Sequence, residues 1–320
     1  MNQMAKLPCY VGIDTSNYTT SAAVCTKDGQ IVSNLKLPLP VKEGEVGLRQ
    51  SDAVFAHVKN LPVIMEMLSE ELEGYEPLAV GVSEKPRDAH DAYMPCFLAG
   101  VAAARAFAAG AGNIPLHGFS HQSGHIMAAV YSSGHSELLE SDFIAFHVSG
   151  GTTEALLVPP SADGFDVSII GETLDLNAGQ AVDRAGVMLG VKFPCGPALE
   201  EMALLNDKKI PRGKISVKGG SCNLSGLENL AAKLYRDTED KNLTAAFVFD
   251  FIGRTLLAMT ENLRAQYGDL PVLYAGGVMS NSIIRRMLSV SGREYFAEPA
   301  FSSDNAAGTA LLCRKAMEGK

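Results

Sequence analysis

VGIDTSNYTTSAAV at residues 11–24 aligns without a gap on IAFHVSGGTTEALL at residues 144–157, and this internal repeat decides the fold. Each copy has an apolar half, a small polar turn with serine and a Thr-Thr pair, and a second apolar half. That pattern predicts strand, tight turn, strand. Ser16 and Ser149, Thr19 and Thr152, and Thr20 and Thr153 occupy matching places, which two strands sharing only apolar character would not require. A repeat over a hundred residues apart is too long for a solenoid and fits two domains of common design.

Working outward, 320 residues is long for one core and matches about two domains. After the first hairpin, apolar residues at helical spacing predict a helix from Asp52 to Glu73. LAVGVS (78–83) reads as a buried strand, and Cys96 to Ala109 as a small-residue helix. The polar stretch GHSELLES (134–141) is the expected boundary, giving an N-terminal lobe at 1–138 and a C-terminal lobe at 139–320. The second lobe continues through a helix near Ala178–Leu189, a basic loop, and helices from Leu224 to Tyr267. VLYAGGV (272–278) is a strand entering a Gly-Gly turn, after which Ser280 or Asn281 caps a helix. A last helix, Asn305 to Met317, follows Ser302-Ser303-Asp304 and is expected to pack back on the first lobe. Two α/β lobes, each opened by a polar-tipped hairpin, point to the actin and sugar-kinase architecture, the ribonuclease H-like ASKHA fold. There the tips face each other across a central cleft and offer N–H and hydroxyl groups to phosphate.

Composition narrows the function classes. With 47% hydrophobic and 20% charged residues, the chain falls in the globular range rather than the disordered one. It has no unbroken apolar run of about 18 residues, which argues against a membrane span. MNQMAKLPCYVGID at the N-terminus lacks the pattern of a signal peptide. The six cysteines lie far apart with no CxxC pair, as expected of reduced, buried thiols in a cytoplasmic protein. A net charge of −9 repels nucleic acid overall. Lys208, Lys209, Arg212, Lys214 and Lys218 run against that trend, as a solvated basic loop or as a local contact for phosphate or RNA.

His121 and His125, in SHQSGH, are four apart, which on a helix puts both imidazoles on one face within reach of one metal ion. An ordinary surface histidine pair has the same spacing. Asp304, an acid at the start of the last helix, is the candidate third ligand. The turns SGG (149–151), PCGP (194–197) and AGG (275–277) can bring bare backbone to a ligand. Asp175, Asp183 and Asn281 lie near them, either as partners of ribose hydroxyls or as helix caps and surface polar groups.

Taken in order, VGIDTS, SHQSGH, HVSGGTTE, GETLDLNAGQAVDRAGVMLG, FPCGPALE, NLSGL, YAGGVMSN and SSDNAA closely resemble the motifs of the tRNA threonylcarbamoyladenosine synthases. These are the TsaD-type proteins, once labelled glycoprotein endopeptidases. The match runs from residue 10 to about 312. The resemblance implies an enzyme that transfers a threonylcarbamoyl group from its adenylate to an adenosine amino group in tRNA. It implies one divalent metal ion, iron or zinc, on His121, His125 and Asp304. It places the substrate's phosphate side at the hairpin of His147, Val148, Ser149, Gly150 and Gly151, and its sugar and base at Asp183, Gly196 and Asn281. An adenine nucleotide or acyl-adenylate would be the ligand. Partners would be tRNA, through the 208–218 loop, and a TsaB-like subunit or a second copy of the chain.

The departures from the family pattern cluster at the substrate end. The usual GIETSCDET is GIDTSNYTT, so Tyr18 and Thr19 replace two acids; SGGHT is SGGTT, with Thr152 for histidine; SGLK is SGLE, with Glu228 for lysine. EKPRDAHDAYMPC (84–96), carrying His90 and Tyr93, stands where the family has a GPGL segment. Losing a charged partner in a partly buried site costs about 2–5 kcal/mol. The alternatives are therefore a paralogue using the same metal and adenylate for another acceptor, or a non-catalytic scaffold subunit. An intact HxxxH with its aspartate favours an enzyme. The old peptidase label is disfavoured, because position 122 is glutamine where HExxH peptidases need their glutamate base.

Overall fold

The structure is a computed structural model, and it describes residues 5–16, 18–40, 48–89, 91–162, 164–302 and 304–319. The chain divides into two compact units. The first holds residues 1–134, 160–166 and 303–320, and the second holds 135–159 and 167–302. The change at Gly134/His135 lies just ahead of 138/139. Residues Ser136–Glu140 form a 3-10 turn, and the preceding His135 rests on Tyr295 of the second unit, their rings 4.0 Å apart.

The first unit is built on β1 (Leu7–Thr15), β2 (Thr19–Thr26), β3 (Ile31–Pro38), β4 (Tyr75–Lys85) and β5 (Leu116–Ser120), in the order β3-β2-β1-β4-β5. The three leading strands are antiparallel neighbours; β4 and β5 add in parallel. Helices α1 (Gln50–Glu71) and α2 (Phe97–Gly110) cover one face, where Val11, Ile13 and Val80 meet Ile64, Leu68 and Ala104. The C-terminal helix (Ala307–Glu318) packs against β1 on the other face and against α3 (His121–Ser133).

The second unit repeats this plan. β6 (Phe143–Val148), β7 (Thr153–Val158), β8 (Ser168–Glu172), β9 (Val272–Ala275) and β10 (Glu294–Phe296) are ordered β8-β7-β6-β9-β10 with the same pattern of directions. The two hairpins also share register. β1 and β2 close at Thr15 opposite Thr20, and β6 and β7 at Val148 opposite Thr153, the positions that the gapless alignment superposes. Around this sheet lie α4 (Ala178–Met188), α5 (Gly196–Leu204), α6 (Gly226–Thr238), α7 (Lys241–Tyr267) and α8 (Ser282–Leu288). Helix α7 is long and apolar enough to cross a membrane by length and composition, but Phe249, Ile252, Leu256 and Met259 are core residues of this unit. All six cysteines are free and buried, as the sequence predicts.

Small residues set the closest approaches. A Cβ on Gly12 would overlap the Ala306 carbonyl, and one on Gly308 would overlap the Gly124 carbonyl in α3. Gly308→Ala should therefore cost about 1–3 kcal/mol of stability by overpacking. Gly226, which has nothing within 4 Å of an added Cβ, serves as the control. Urea unfolding should show the first substitution strongly destabilising and Gly226→Ala within about 1 kcal/mol of the parent.

Candidate functional site

Two clusters draw together residues singled out from the sequence, one in each unit. In the first, Ser120 ends β5 and caps α3 by accepting the Ser123 N–H, so His121 opens the helix and His125 follows one turn later. Their rings lie 4.4 Å apart, edge to face. Asp304 precedes the C-terminal helix, and its Oδ1 is 3.3 Å from His125 Nε2 and 3.6 Å from His121 Nε2. Ligand atoms of His121, His125 and Asp304 all lie within 4.8 Å of one another, a donor set of two imidazoles and one carboxylate that fits one metal ion.

Residues not named as candidates above hold this set in place. Asp14, fully buried at the end of β1, takes the His121 Nδ1 proton donor at 2.9 Å, leaving Nε2 toward Asp304. The second oxygen of Asp14 accepts the Ser16 N–H, and Ser16 Oγ donates to Asp304 Oδ2 at 2.8 Å. Behind Ser16 lies His57 of α1, also fully buried. Its Nε2 is 2.8 Å from the Ser16 carbonyl and must donate there, so Nδ1 accepts from Thr20 Oγ1 at 2.8 Å. Burial lowers the His57 pKa, as suits a neutral ring fixed in one tautomer. The signal in the sequence was an acid ending the apolar run VGI, a costly burial without a partner.

Electrostatics favour charge separation within the cluster. Burial opposes the His121 imidazolium, but Asp14 and Asp304 outweigh it and raise its pKa to about 10. Burial likewise opposes the Asp304 carboxylate, yet hydrogen bonds from His121 and His125 hold it far below the usual range.

The segment in place of the family's GPGL straps the start of α3. Pro86 O accepts the Gln122 N–H, and Asp88 accepts from Ser120 Oγ at 2.6 Å and Ser123 Oγ at 2.8 Å. Lys85 pairs with Asp88 at 3.1 Å, while His90 lies outside the described residues.

In the second unit, a cavity of about 290 Å³ is lined by Gly150, Asp183, Gly196, Glu200, Phe249 and Asn281, among others. Asn281, rather than Ser280, caps α8, its Oδ1 accepting the Ile284 N–H at 3.0 Å. Its Nδ2 is buried with no hydrogen-bond partner among the described residues, which is uncommon in a folded protein. Asp183 accepts the Cys195 N–H at 2.9 Å. A Cβ on Gly179 would lie 2.6 Å from Gly150 N, so the hairpin tip rests directly on the first turn of α4. His147, Val148, Ser149 and Gly151 are not among the lining residues: His147 pairs with Glu154 and Ala275 in the sheet, and Ser149 Oγ accepts the Thr152 N–H.

Asp175 is a structural clamp rather than a ribose partner. Its oxygens accept from the N–H groups of Leu176, Leu224 and Ser225, from Ser225 Oγ and from Asn223 Nδ2. Glu228 forms a 3.0 Å ion pair with Arg184 on the surface. In the basic stretch, Lys208 is paired with Asp240 at 2.6 Å, while Lys209, Arg212, Lys214 and Lys218 are exposed.

Residues 51–311 match the family model TsaD, tRNA N6-adenosine threonylcarbamoyltransferase. The chain belongs to this family. A TsaD-family relative bearing that name in Streptococcus suis (strain 05ZYH33) is 30% identical over 301 residues, covering 89% of this chain and 84% of the relative. Another, from Christiangramia forsetii, is 29% identical over 319 residues, covering 93% and 89%. Among solved structures, T. kodakarensis HypF aligns with a TM-score of 0.62 at 14% identity, over 99% of this chain and 48% of that one. A ROK family glucokinase from Streptomyces griseus aligns with a TM-score of 0.52 at 14% identity, over 97% and 99%. These two likenesses establish the actin-like fold that the TsaD motifs imply.

The raised His121 pKa has a defined sign for stability. A group protonated more readily when folded contributes stability that is complete below its unfolded value near 6.5, and loses it progressively as pH rises to about 10. In chelator-treated protein, the melting-temperature advantage of the parent over His121→Gln should therefore be largest near pH 6 and shrink toward pH 10. An advantage independent of pH would show that the imidazolium is not what Asp14 and Asp304 stabilise.

Proposed function

We propose that this chain transfers a threonylcarbamoyl group from its adenylate to the amino group of an adenosine in tRNA, in the cytoplasm. One divalent ion, iron or zinc, is held by His121, His125 and Asp304. The observation that carries the reading is this donor trio within 4.8 Å, backed by the buried Asp14 on the far nitrogen of His121. A carboxylate behind a ligating histidine fixes the tautomer and raises ligand basicity. A metal bound there supplies Lewis-acid charge to a phosphate or carbonyl oxygen.

The adenylate is assigned to the cavity of the second unit. The unpartnered Asn281 amide meets an acceptor on sugar or base, Gly196 leaves room for close approach, and Asp183 sits at the rim fixed by Cys195. The 147–151 hairpin takes the phosphate side. The exposed cations of the 208–218 loop contact tRNA, and a TsaB-like subunit or a second copy completes the assembly.

A second reading, the same chemistry on a different acceptor, is favoured by the substitutions near the substrate. Glu228 is engaged with Arg184, and the first hairpin tip carries Tyr18 and Thr19 where the family pattern has acids.

Two measurements test these readings. Elemental analysis should find about one iron or zinc per chain in the parent, and His125→Ala should lose most of it; equal content in both removes His125 from the site. Metal-loaded protein given threonylcarbamoyl-adenylate and unmodified tRNA should yield the modified nucleoside by mass spectrometry. No turnover on tRNA, together with transfer to small amines, would select the second reading.

A further inference from the structure

The loop joining α4 to α5 carries an aromatic ring that neither cluster uses. It is fastened at both ends. Val191 N–H donates to the Gly186 carbonyl at 2.9 Å, and Cys195 N–H to Asp183 at 2.9 Å, with the Cys195 side chain buried against Gly186. Between these ties Phe193 is 74% exposed, the highest value of any large apolar side chain among the described residues. Pro194, the next residue, and Gly196 line the cavity of the second unit, so the ring is held beside that cavity. A single exposed phenylalanine is ordinary on a protein surface, and its meaning here comes from the charges around it. Lys192 precedes it. Lys241, the first residue of α7, brings its Nζ to 3.7 Å from where a Gly190 Cβ would stand. Asp240, just before Lys241, is already engaged: it accepts the Leu243 N–H at 2.9 Å and pairs with Lys208 Nζ at 2.6 Å. That pair fixes the start of the basic stretch next to the same loop. Lys192, Lys209 and Lys241 are exposed and have no ion pair among the described residues.

We propose that this face of the second unit receives a single-stranded stretch of RNA, with one unpaired base stacked on Phe193 while Lys192, Lys209 and Lys241 meet its phosphates. The inference rests on the tRNA reading above and adds to it a stacking residue and the strandedness of the RNA. Cations alone would hold a duplex as well as a single strand. An exposed aromatic face is of use only to a base that is not already paired and stacked within a helix. The net charge of −9 opposes a broad contact with a polyanion, which keeps the contact local to this group. Beside Pro194 and Gly196, a base held on the ring lies next to the cavity assigned above to the adenylate.

The test uses the full chain with two probes, unmodified tRNA and a fluorescent single-stranded RNA of about ten nucleotides, within the usual footprint of such surfaces. Phe193→Ala should weaken binding of both about tenfold without changing the slope of affinity against salt, and Phe193→Trp should retain the parent affinity. Lys192→Gln and Lys241→Gln should each weaken binding and reduce that slope by about one. A fully paired RNA duplex of the same length should bind the parent and Phe193→Ala alike. An unchanged melting temperature shows that Phe193→Ala folds, as expected for an exposed ring. Equal affinity of the parent and Phe193→Ala for tRNA and for the single strand overturns the inference and leaves the tRNA reading standing. Equal weakening of single strand and duplex also overturns it, because Phe193 would then support the loop rather than stack on a base. A matching loss of adenine-nucleotide binding, read by thermal shift, puts the ring in the cavity wall and overturns it too. If the parent binds no tRNA, the tRNA reading falls first and this inference with it.

Discussion

The close crossing of α3 with the C-terminal helix, at Gly124 and Gly308, is the constraint on which the first site depends. Gly124 lies between the two histidines, and Gly308, in the first turn of the C-terminal helix, follows Asp304 by four residues. With no Cβ at either position, the helix backbones touch, and the three donors converge without long side chains having to bridge a gap. Gly12 and Gly81 do the same between sheet and helix, so β1 approaches closely enough for Asp14 to reach His121. Backbone contact sets the distances and side-chain chemistry then uses them.

The two sites are prepared by different physics. In the first unit, opposite charges at short range orient imidazoles and carboxylates before any ligand arrives, and the neutral His57 fixes the Ser16 backbone that directs a hydroxyl at Asp304. In the second, the cavity is walled by glycines, prolines and Phe249 with a few polar side chains, Asp183, Glu200, Ser280 and Asn281, among them an Asn281 amide without a hydrogen-bond partner among the described residues. An ordered buried donor without a partner is uncommon in folded proteins, and it is costly unless a ligand supplies the missing acceptor.

Much of this was legible in the sequence because the repeat was gapless. Equal spacing in the two hairpins meant equal register, and the register placed Thr20 and Thr153 at the same point of the two sheets. The HxxxH spacing and the acid ahead of the last helix were visible for the same reason: each depends on local periodicity. Asp14 and His57 were not legible as part of the cluster, since their bonds to His121 and Ser16 join elements far apart in the chain. Asp175 stayed open in the sequence because an acid near a glycine turn looks the same whether it faces ligand or backbone; in the structure its carboxylate accepts from backbone and side-chain donors of the second unit. Segment 84–96 stood out in the sequence only as a departure from the family pattern; that its Asp88 and Pro86 fasten the first turn of α3 depends on contacts across the fold.

The first unit is discontinuous, with the whole of the second unit's chain falling between His125 and Asp304. During synthesis the histidine pair and Asp14 therefore leave the ribosome long before the third donor exists. A nascent first unit lacks the helix that covers β1 and the carboxylate that balances its imidazoles. The three-residue cluster cannot be completed until the second unit has been made, so the order of the chain itself delays completion of the site.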